Sequence, residues 1–441
     1  MATSDAPSKL STAKGRDVIG LHLHERAPRP PPTYSLGNYQ INWLSTAILF
    51  LPPVGVVAAI LAGVPLTLPT LIVALVFYWL NGCIGITAGY HRLFAHRAFD
   101  SHWTVQWAVL FFGAGAFEGS AKWWCRNHRI HHRYIDTDKD PYNATRGFFY
   151  THWGWMVMKQ DYEILGFVET HDLNRNRAVM FQHNYYLPIA LLSGVILPTV
   201  LCGLINGDWV GGYMYAALAK MFWTHNCTFF INSLAHSTLF GATQNFSDQH
   251  SSRDSLLCAL LTFGEGYHNF HHEFAQDYRN GIKWFHWDPT KWVIRSLEII
   301  GLAKNLVRTP QSVIRRNIMA LRLKQHEKIV ADLHKKLEAT DRKYQSPVKM
   351  TIEEFKDRVA NGSKLVIVSG YVLDLEKTIA TGKGYTTPSK NVVWYQSHPG
   401  GRKVLDEYVG KDATDAMTGG VYRHSEGALN LLLHLRIASL A

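Results

Sequence analysis

The sequence predicts a mainly α-helical membrane protein with four transmembrane helices, its bulk on one side of the bilayer, and a small α+β domain at the C-terminus. Three observations predict it. Two long stretches are nearly free of charge, eight histidines gather in three tight clusters outside those stretches, and the last hundred or so residues turn polar and strand-like.

At 441 residues the chain is too long for one ordinary domain. Charged residues make up 18% and aromatic residues 12%, a balance that fits a lipid-facing part better than a wholly soluble protein. The net charge of +11 suits nucleic acid, an anionic membrane surface or an acidic ligand, and the placement of the charges decides among them. Cys83, Cys125, Cys202, Cys227 and Cys258 form no C-x-x-C pair, which points to a reducing compartment without disulfides.

Residues 1–40 read as a cytosolic tail. MATSDAPSKLSTAKGRDV lacks the basic-then-apolar order of a cleavable signal, and a Pro-rich stretch at 27–32 ends it. Residues 30–90 hold no Asp, Glu, Lys or Arg. A span needs about 20 apolar residues, so this stretch accommodates two, near 44–62 and 68–88, with a turn at Gly63-Val64-Pro65. The second apolar block, 185–233, has Asp208 and Lys220 as its only charges. A break at 203–212 divides it into spans near 186–205 and 213–234.

Charge asymmetry orients these spans. The tail carries five Lys or Arg and residues 91–177 carry eleven, whereas the two short turns carry none. The positive-inside rule then places both termini and the long middle loop in the cytosol. Basic residues beside the spans account for the net charge, so no nucleic-acid partner is expected.

The histidine clusters all fall on that cytosolic side. His91 and His96 lie in GYHRLFAHR, His128, His131 and His132 in RNHRIHHRY, and His268, His271 and His272 in GEGYHNFHHEF. On a helix, positions i, i+3 and i+4 share a face, so each H-x-x-H-H is expected to aim three imidazoles the same way. The five-residue step from His91 to His96 fits one face less well and is expected where a helix end bends at the membrane surface. Asn232 and His236 are four apart at the cytosolic end of the fourth span. Eight box histidines exceed the four ligands that zinc usually takes and suit two iron ions, for which imidazole is a suitable donor. His102, His152, His171, His183, His250 and His286 fit no such spacing and read as hydrogen-bonding residues, and His225, within the fourth span, reads as packing.

From Thr290 the chain turns polar, and 308–343 reads as a long basic helix within a linker, 301–346. The last domain, 347–441, opens with MTIEEFKDRV and the strand-like KLVIVSGYVLDL, then carries SHPGGRKVLDEYVGKDATDAM and VYRHSEGALNLL.

These residues resemble a known family. HRLFAH, HRIHH and HNFHH are similar to the three histidine boxes of membrane fatty acyl desaturases. GYHRLFAHRAF, HRYIDTDKDPYN, GEGYHNFHHEF and WDPTKW resemble the stearoyl-CoA (Δ9) branch. Front-end desaturases begin the third box with glutamine, where this chain has His268, and Δ12-type enzymes show an H-x-C-G-H first box. The resemblance implies a cytosolic helical cap over the four spans of a desaturase domain at 41–300. It implies a di-iron centre held by His91, His96, His128, His131, His132, His268, His271 and His272, with His236 as a ninth ligand and Asn232 reaching iron through water. It also implies the reaction of a stearoyl-CoA 9-desaturase-type oxidoreductase: O2-dependent insertion of a cis double bond into palmitoyl- or stearoyl-CoA.

The C-terminal domain looks like cytochrome b5, with His398 of HPGG and His424 of RHS matching the two axial ligands of haem b. Filling both axial positions leaves no open site for O2 and suits electron transfer. A fused C-terminal cytochrome domain resembles the fungal arrangement in the endoplasmic reticulum membrane. Electrons are expected from a separate NADH-cytochrome b5 reductase, because no G-x-G-x-x-G fold appears in this chain. Residues 378–396 look like a loop inserted into the family pattern.

Oxidising an unactivated methylene also demands an apolar tunnel that excludes water, with Trp123, Trp124, Phe222, Trp223 and Phe229 as candidate walls. Phe229 stands where mammalian relatives have tryptophan. The phosphates of coenzyme A demand basic residues on the cytosolic face, with Arg126 first among Arg126, Arg129, Arg146 and Lys159. A fatty acid hydroxylase on the same histidine-box scaffold is the nearest alternative reading, and a histidine-lined metal transporter or sensor a remote one.

Overall fold

The computed structural model describes residues 40–344, 348–380, 391–419 and 424–441. The expected N-terminal tail lies outside the described residues up to Tyr39, as does the expected inserted loop over 381–390. The chain divides into two compact units, residues 1–321 and 322–441.

The first unit is built on apolar helices. Helix α1 (Trp43–Leu61) starts where the Asn42 side chain accepts from Ser45 N–H at 3.2 Å, the usual way to satisfy an orphan donor of the first turn. Thr67 caps α2 (Leu68–Ala95) in the same manner. Leu44, Leu61 and Leu68 stand with about 70–80% of their surface exposed, an arrangement that water disfavours and lipid accommodates.

Helix α2 runs past the expected end near Ala88 and carries the first histidine pair on its last turns. Helix α3 (Trp103–Ala114) packs along it so closely that a Cβ at Gly85 would lie 2.3 Å from the backbone nitrogen of Gly113. Helix α4 (Ala121–Tyr134) carries the second histidine box. Helix α5 (Tyr186–Asn206) ends at Gly207, whose φ of 72° closes the helix in the left-handed region. Asp208 then caps the next turn through Gly211 N–H at 2.8 Å and accepts from Thr70 on α2 at 2.6 Å, tying the two hairpin turns together.

Helix α6 comprises Gly212–Ala219 continued by Lys220–Ser233. Among the described residues three helices, α1, α2 and α5, are long and apolar enough to cross a membrane. The segment expected as a fourth span is helical, but Lys220, His225, Asn226 and Asn232 lower its apolar character below that of the other three. Lys220 is buried, and its Nζ donates to Asn81 Oδ1 at 2.8 Å and to the Gly194 carbonyl at 3.1 Å. Such pairing is what a buried cation requires.

Beyond α6 come α7 (Leu256–Leu261), α8 (His268–Glu273), which carries the third box, α9 (Pro289–Ile299) and the 34-residue α10 (Gln311–Tyr344). Ile314 of α10 is buried with Phe246 and Phe270, fixing the start of that helix to the first unit. A short antiparallel pair, β1 (Asp100–Ser101) with β2 (Ala303–Lys304), closes the unit.

The second unit holds a four-stranded sheet in the order β3-β8-β5-β4, formed by β3 (Lys349–Met350), β4 (Leu365–Val368), β5 (Tyr371–Asp374) and β8 (Arg436–Leu440). All four β4 residues are buried. Leu365 and Ile367 join Phe355 on one face, and Val366 and Val368 join Leu432 and Leu435 on the other, the period of two that a strand imposes. Helix α11 (Ile352–Ala360) opens with a capping box between Thr351 and Glu354. A second small pair, β6 (Thr378–Ala380) with β7 (Asn391–Val393), precedes the His398 segment.

Candidate metal centre and the adjoining cavity

The local folding of each box explains how the histidines meet. The end of α2 winds with wide π-helical turns, and His96 N–H donates to the His91 carbonyl, five residues back, at 3.0 Å. A five-residue step therefore stays on one face, and the two rings lie 4.8 Å apart. The helix ends at Ala95 and the chain bends at His96, as expected of a helix end at this step. His236 follows on the turn Leu234–His236 that ends α6.

The imidazoles form two clusters: His91, His96, His128, His132 and His271, then His131, His236, His268 and His272. Within each, the candidate ligand atoms lie within 4.8 Å of one another. Each H-x-x-H-H box thus serves both clusters, contrary to the expectation of one shared aim. His128 and His132, a full α-turn apart, join the first, whereas His131 joins the second. In the third box His268 and His272 join the second cluster and His271 the first. The two boxes face each other, so each box histidine at position i+3 meets the i and i+4 pair of the opposite box.

Hydrogen-bond partners on the outer side orient several rings. His91 Nδ1 lies 2.9 Å from Glu265 Oε2, His131 Nδ1 lies 3.0 Å from both Asp140 oxygens, and His236 Nδ1 lies 2.7 Å from Ser251 Oγ. Asp136 in turn accepts from Ser251 N–H at 2.8 Å. Protons held at Nδ1 leave the Nε2 lone pairs pointing inward. Yet Nε2 of His91 is 3.0 Å from Nε2 of His271, that of His131 is 3.2 Å from that of His272, and that of His236 is 3.0 Å from that of His268. Converging lone pairs repel unless a cation lies among them, so this donor set fits metal ions. Imidazole suits iron, zinc, copper or nickel.

Burial, with the neighbouring imidazoles second, pushes His96, His128, His132, His268, His271 and His272 well below the ordinary histidine range. Neutral imidazole is the ligating form. Burial works to raise the Glu265 carboxyl, but His91 and Arg92 outweigh it and hold it at about 2. Arg92 is itself buried, 2.8 Å from Glu265 and 2.9 Å from Asp288.

A cavity opens against this centre. His91, His128, His268 and Asn232 line one part of it, and Leu49, Ile86, Phe117, Trp124, Trp155 and Phe229 line the apolar remainder. Trp124 stacks on His128, with centroids 4.9 Å apart, and donates to the buried Glu118 carboxylate at 3.1 Å, which also accepts from Thr228 at 2.7 Å.

Trp124 and Phe229, expected as walls, line this cavity, whereas Trp123, Phe222, Trp223, Arg126 and Lys159 do not. Lys159 is exposed and donates to Gln40 at 3.1 Å. Arg129 is engaged by Asp172 and by the Phe94 and Ala95 carbonyls, a structural clamp. His225, expected to pack, lines the cavity. His152 holds Ser233 and Asn226, and His183 holds Ser120, as hydrogen-bonding residues do. Sequence reasoning passed over Glu265, Asp140, Arg92, Asp288 and Glu118. Their signal was a charge set beside a histidine box or an apolar run, where burial demands a partner.

In the second unit, burial and then His424 push His398 below the ordinary histidine range. Trp394, Tyr408, Met417 and Leu429 pack partly buried around the same core.

Comparison with known proteins agrees with both units. The sequence model of the fatty acid desaturase family matches residues 65–298, and that of the cytochrome b5-like haem/steroid binding domain matches residues 392–441. A probable acyl-CoA desaturase of Schizosaccharomyces pombe is 42% identical over 398 residues, 90% of this chain and 77% of that protein. Acyl-CoA desaturase 1 of Saccharomyces cerevisiae is 38% identical over 419 residues, 95% of this chain and 76% of that one. An acyl-CoA Delta-9 desaturase of Acheta domesticus is 33% identical over 285 residues, 63% of this chain and 78% of that protein. The chain belongs to the fatty acid desaturase family and carries a cytochrome b5-like domain at its C-terminus.

Proposed function

We propose that this oxidoreductase desaturates saturated fatty acyl-CoA, palmitoyl or stearoyl, placing a cis double bond at carbon 9. The carrying observation is nine imidazoles in two clusters at the wall of an apolar cavity. The relatives named acyl-CoA desaturases support the reaction, and the Delta-9 name of the Acheta protein supports the position.

In this reading His91, His96, His128, His132 and His271 hold one iron, His131, His236, His268 and His272 the other, and Asn232 approaches through water. Bound there, iron with O2 supplies an oxidant strong enough for an unactivated methylene, which no side chain can be. The protein does the rest. Glu265, Asp140 and Ser251 hold protons at Nδ1 so that each ring presents Nε2. Arg92 keeps Glu265 ionised, and the aromatic walls hold the chain beside the centre and keep water out. Arg126 and Lys159, on the basic cytosolic face, are the proposed contacts of coenzyme A.

The working division is a tail over 1–40, a desaturase domain over 41–300, a helical linker over 301–346 and a haem domain over 347–441. A cytochrome b5-like domain implies haem, with His398 and His424 as the proposed axial ligands. Fused in cis, it offers electrons at high effective concentration, received from NADH-cytochrome b5 reductase. The three apolar helices make this a membrane protein. With α6 as a fourth span, the charge asymmetry puts both termini in the cytosol, on the endoplasmic reticulum membrane.

The test is fatty-acid analysis by gas chromatography–mass spectrometry in desaturase-deficient cells expressing the chain, beside a His271→Ala control. Δ9-monounsaturated acids should appear with the wild type alone. Hydroxylated acids in their place would transfer the assignment to hydroxylation.

A further inference from the structure

Two segments, one on each side of the third histidine box in the sequence, reach the level of the α2 span. The first is α7. The Tyr78 hydroxyl on α2 donates to the Leu261 carbonyl at its end. Phe263, just beyond, packs so closely that a Cβ on Gly82 would lie 2.8 Å from its Cε2. The second is the start of α9, where Thr290 Oγ1 lies 2.6 Å from Thr87 Oγ1 and 3.5 Å from Cys83 Sγ. Tyr78, Gly82, Cys83 and Thr87 all belong to the charge-free run of α2, and Tyr78 precedes His91 by about three helical turns.

Both segments turn large apolar side chains outward. Leu256 and Leu260 of α7 expose half or more of their surface, Trp284 exposes 83%, and Phe285, Trp287 and Trp292 are also exposed. The backbone beneath the aromatic group is pinned. The buried Lys291 ammonium donates to the carbonyls of Gly281, Lys283 and His286 at 2.8, 2.6 and 2.9 Å. Trp292 Nε1 donates to the Trp284 carbonyl at 3.0 Å, and the Trp287 and Trp292 rings lie 5.9 Å apart. A segment held this firmly keeps its apolar side chains outside. Exposed apolar patches mark interaction surfaces, and tryptophan favours the boundary between lipid and water. Lys283, exposed beside Trp284, suits a lipid phosphate.

We propose that α7 and the 283–292 segment lie in the bilayer leaflet on the histidine side, as a membrane anchor separate from the spanning helices. The partner is the phospholipid bilayer that α2 enters, because both segments are fastened to α2 within its apolar run. Helix α8 lies between them in the chain and carries His268, His271 and His272, so lipid contact on both sides fixes the height of the third box at the membrane surface. The inference needs the membrane reading alone and stands apart from the acyl-CoA assignment.

The five cysteines are buried, so a cysteine introduced at the surface is the one that a thiol-reactive bimane reaches. Full-length Trp284→Cys and Leu260→Cys are labelled, with Lys139→Cys on the exposed turn after the second box as the aqueous reference. Each is checked for monodispersity by gel filtration and placed in vesicles of phosphatidylcholine and phosphatidylserine. Emission from positions 284 and 260 should shift to shorter wavelength than from 139. It should be lost when brominated phosphatidylcholine replaces the ordinary lipid, and it should resist iodide. Phe285→Cys reads the same segment if Trp284→Cys does not fold. Emission and iodide quenching equal to those at position 139, with no loss to brominated lipid, in either segment overturn the inference and leave that patch to a protein partner.

Discussion

Both carboxylate oxygens of Asp140 lie 3.0 Å from Nδ1 of His131, and the pair is buried. Asp140 also accepts from Asp136 N–H at 3.2 Å and Tyr142 N–H at 2.9 Å, so the carboxylate is fixed before it orients the ring. His131 belongs to the four-histidine cluster, which makes Asp140 a positioning residue for that cluster alone. Losing such a partner typically costs 10–100-fold in metal affinity. Asp140→Ala should therefore lose iron from one site during dialysis against a chelator while keeping the other. Elemental analysis per protein checks this, and equal retention by variant and wild type would remove the orienting role.

Arg92 is the second test. It spans Glu265 and Asp288, both nearly inaccessible, and donates to the Tyr278 carbonyl at 2.8 Å. Removing one partner of a buried ionic group costs about 3–5 kcal/mol, because the remaining charges stay buried and unpaired. Arg92→Leu should then give little monodisperse protein on gel filtration in detergent. Arg92→Lys should recover only part, since an ammonium cannot reproduce two forked contacts.

Glu118 gives a pH prediction. Burial raises its carboxyl to about 7, against the opposing pull of Thr228 and Trp124. A carboxyl raised on folding binds its proton more tightly in the native state, so the contribution is fully present below the ordinary carboxyl value. It is lost as pH rises through about 7. At about 1.4 kcal/mol per pH unit, the native state should lose about 3 kcal/mol across that interval from this group. Glu118→Gln keeps one oxygen to accept from Trp124, turns its amide N–H toward the Thr228 hydroxyl, which then accepts, and has no proton to lose. The apparent Tm in detergent should fall between pH 5 and 8 for the wild type and fall less for the variant. Parallel curves would assign the pH dependence elsewhere.

The contrast between box histidines and their partners shows what a linear sequence discloses. H-x-x-H-H reads directly as a helical face, and α4 and α8 carry those boxes on helices. The division of each box between two clusters is not local. It follows from α4 and α8 facing each other, so that His132 meets His271 at 2.9 Å across 139 residues of chain. The pairing of His91 with His96 was hidden for another reason: a five-residue step fits a π-helical turn, and α-helical periodicity does not anticipate it. Spans α1, α2 and α5 were legible because lipid demands unbroken apolar runs. Helix α6 was less so, since Lys220 finds its partners, Asn81 and Gly194, on other helices. Arg126, on α4, and Lys159 do not line the cavity, because a charge's place in the chain says nothing of what its side chain faces.

The haem unit yields the last prediction. His398 and His424 come from separate segments, HPGG and RHS, the second just before α12 (Glu426–Leu435), and burial followed by His424 pushes His398 below the ordinary histidine range. Two imidazoles give a low-spin haem with no vacant position. Either His398→Ala or His424→Ala should abolish the reduced-minus-oxidised haem spectrum. The nine histidines of the two clusters belong to the first unit, so iron content there should stay at the wild-type value. If electrons pass through this haem, desaturation falls with the spectrum and returns when a separate soluble cytochrome b5 is supplied. A variant that loses the spectrum but desaturates at the wild-type rate, with no added donor, would show that electrons enter by another route.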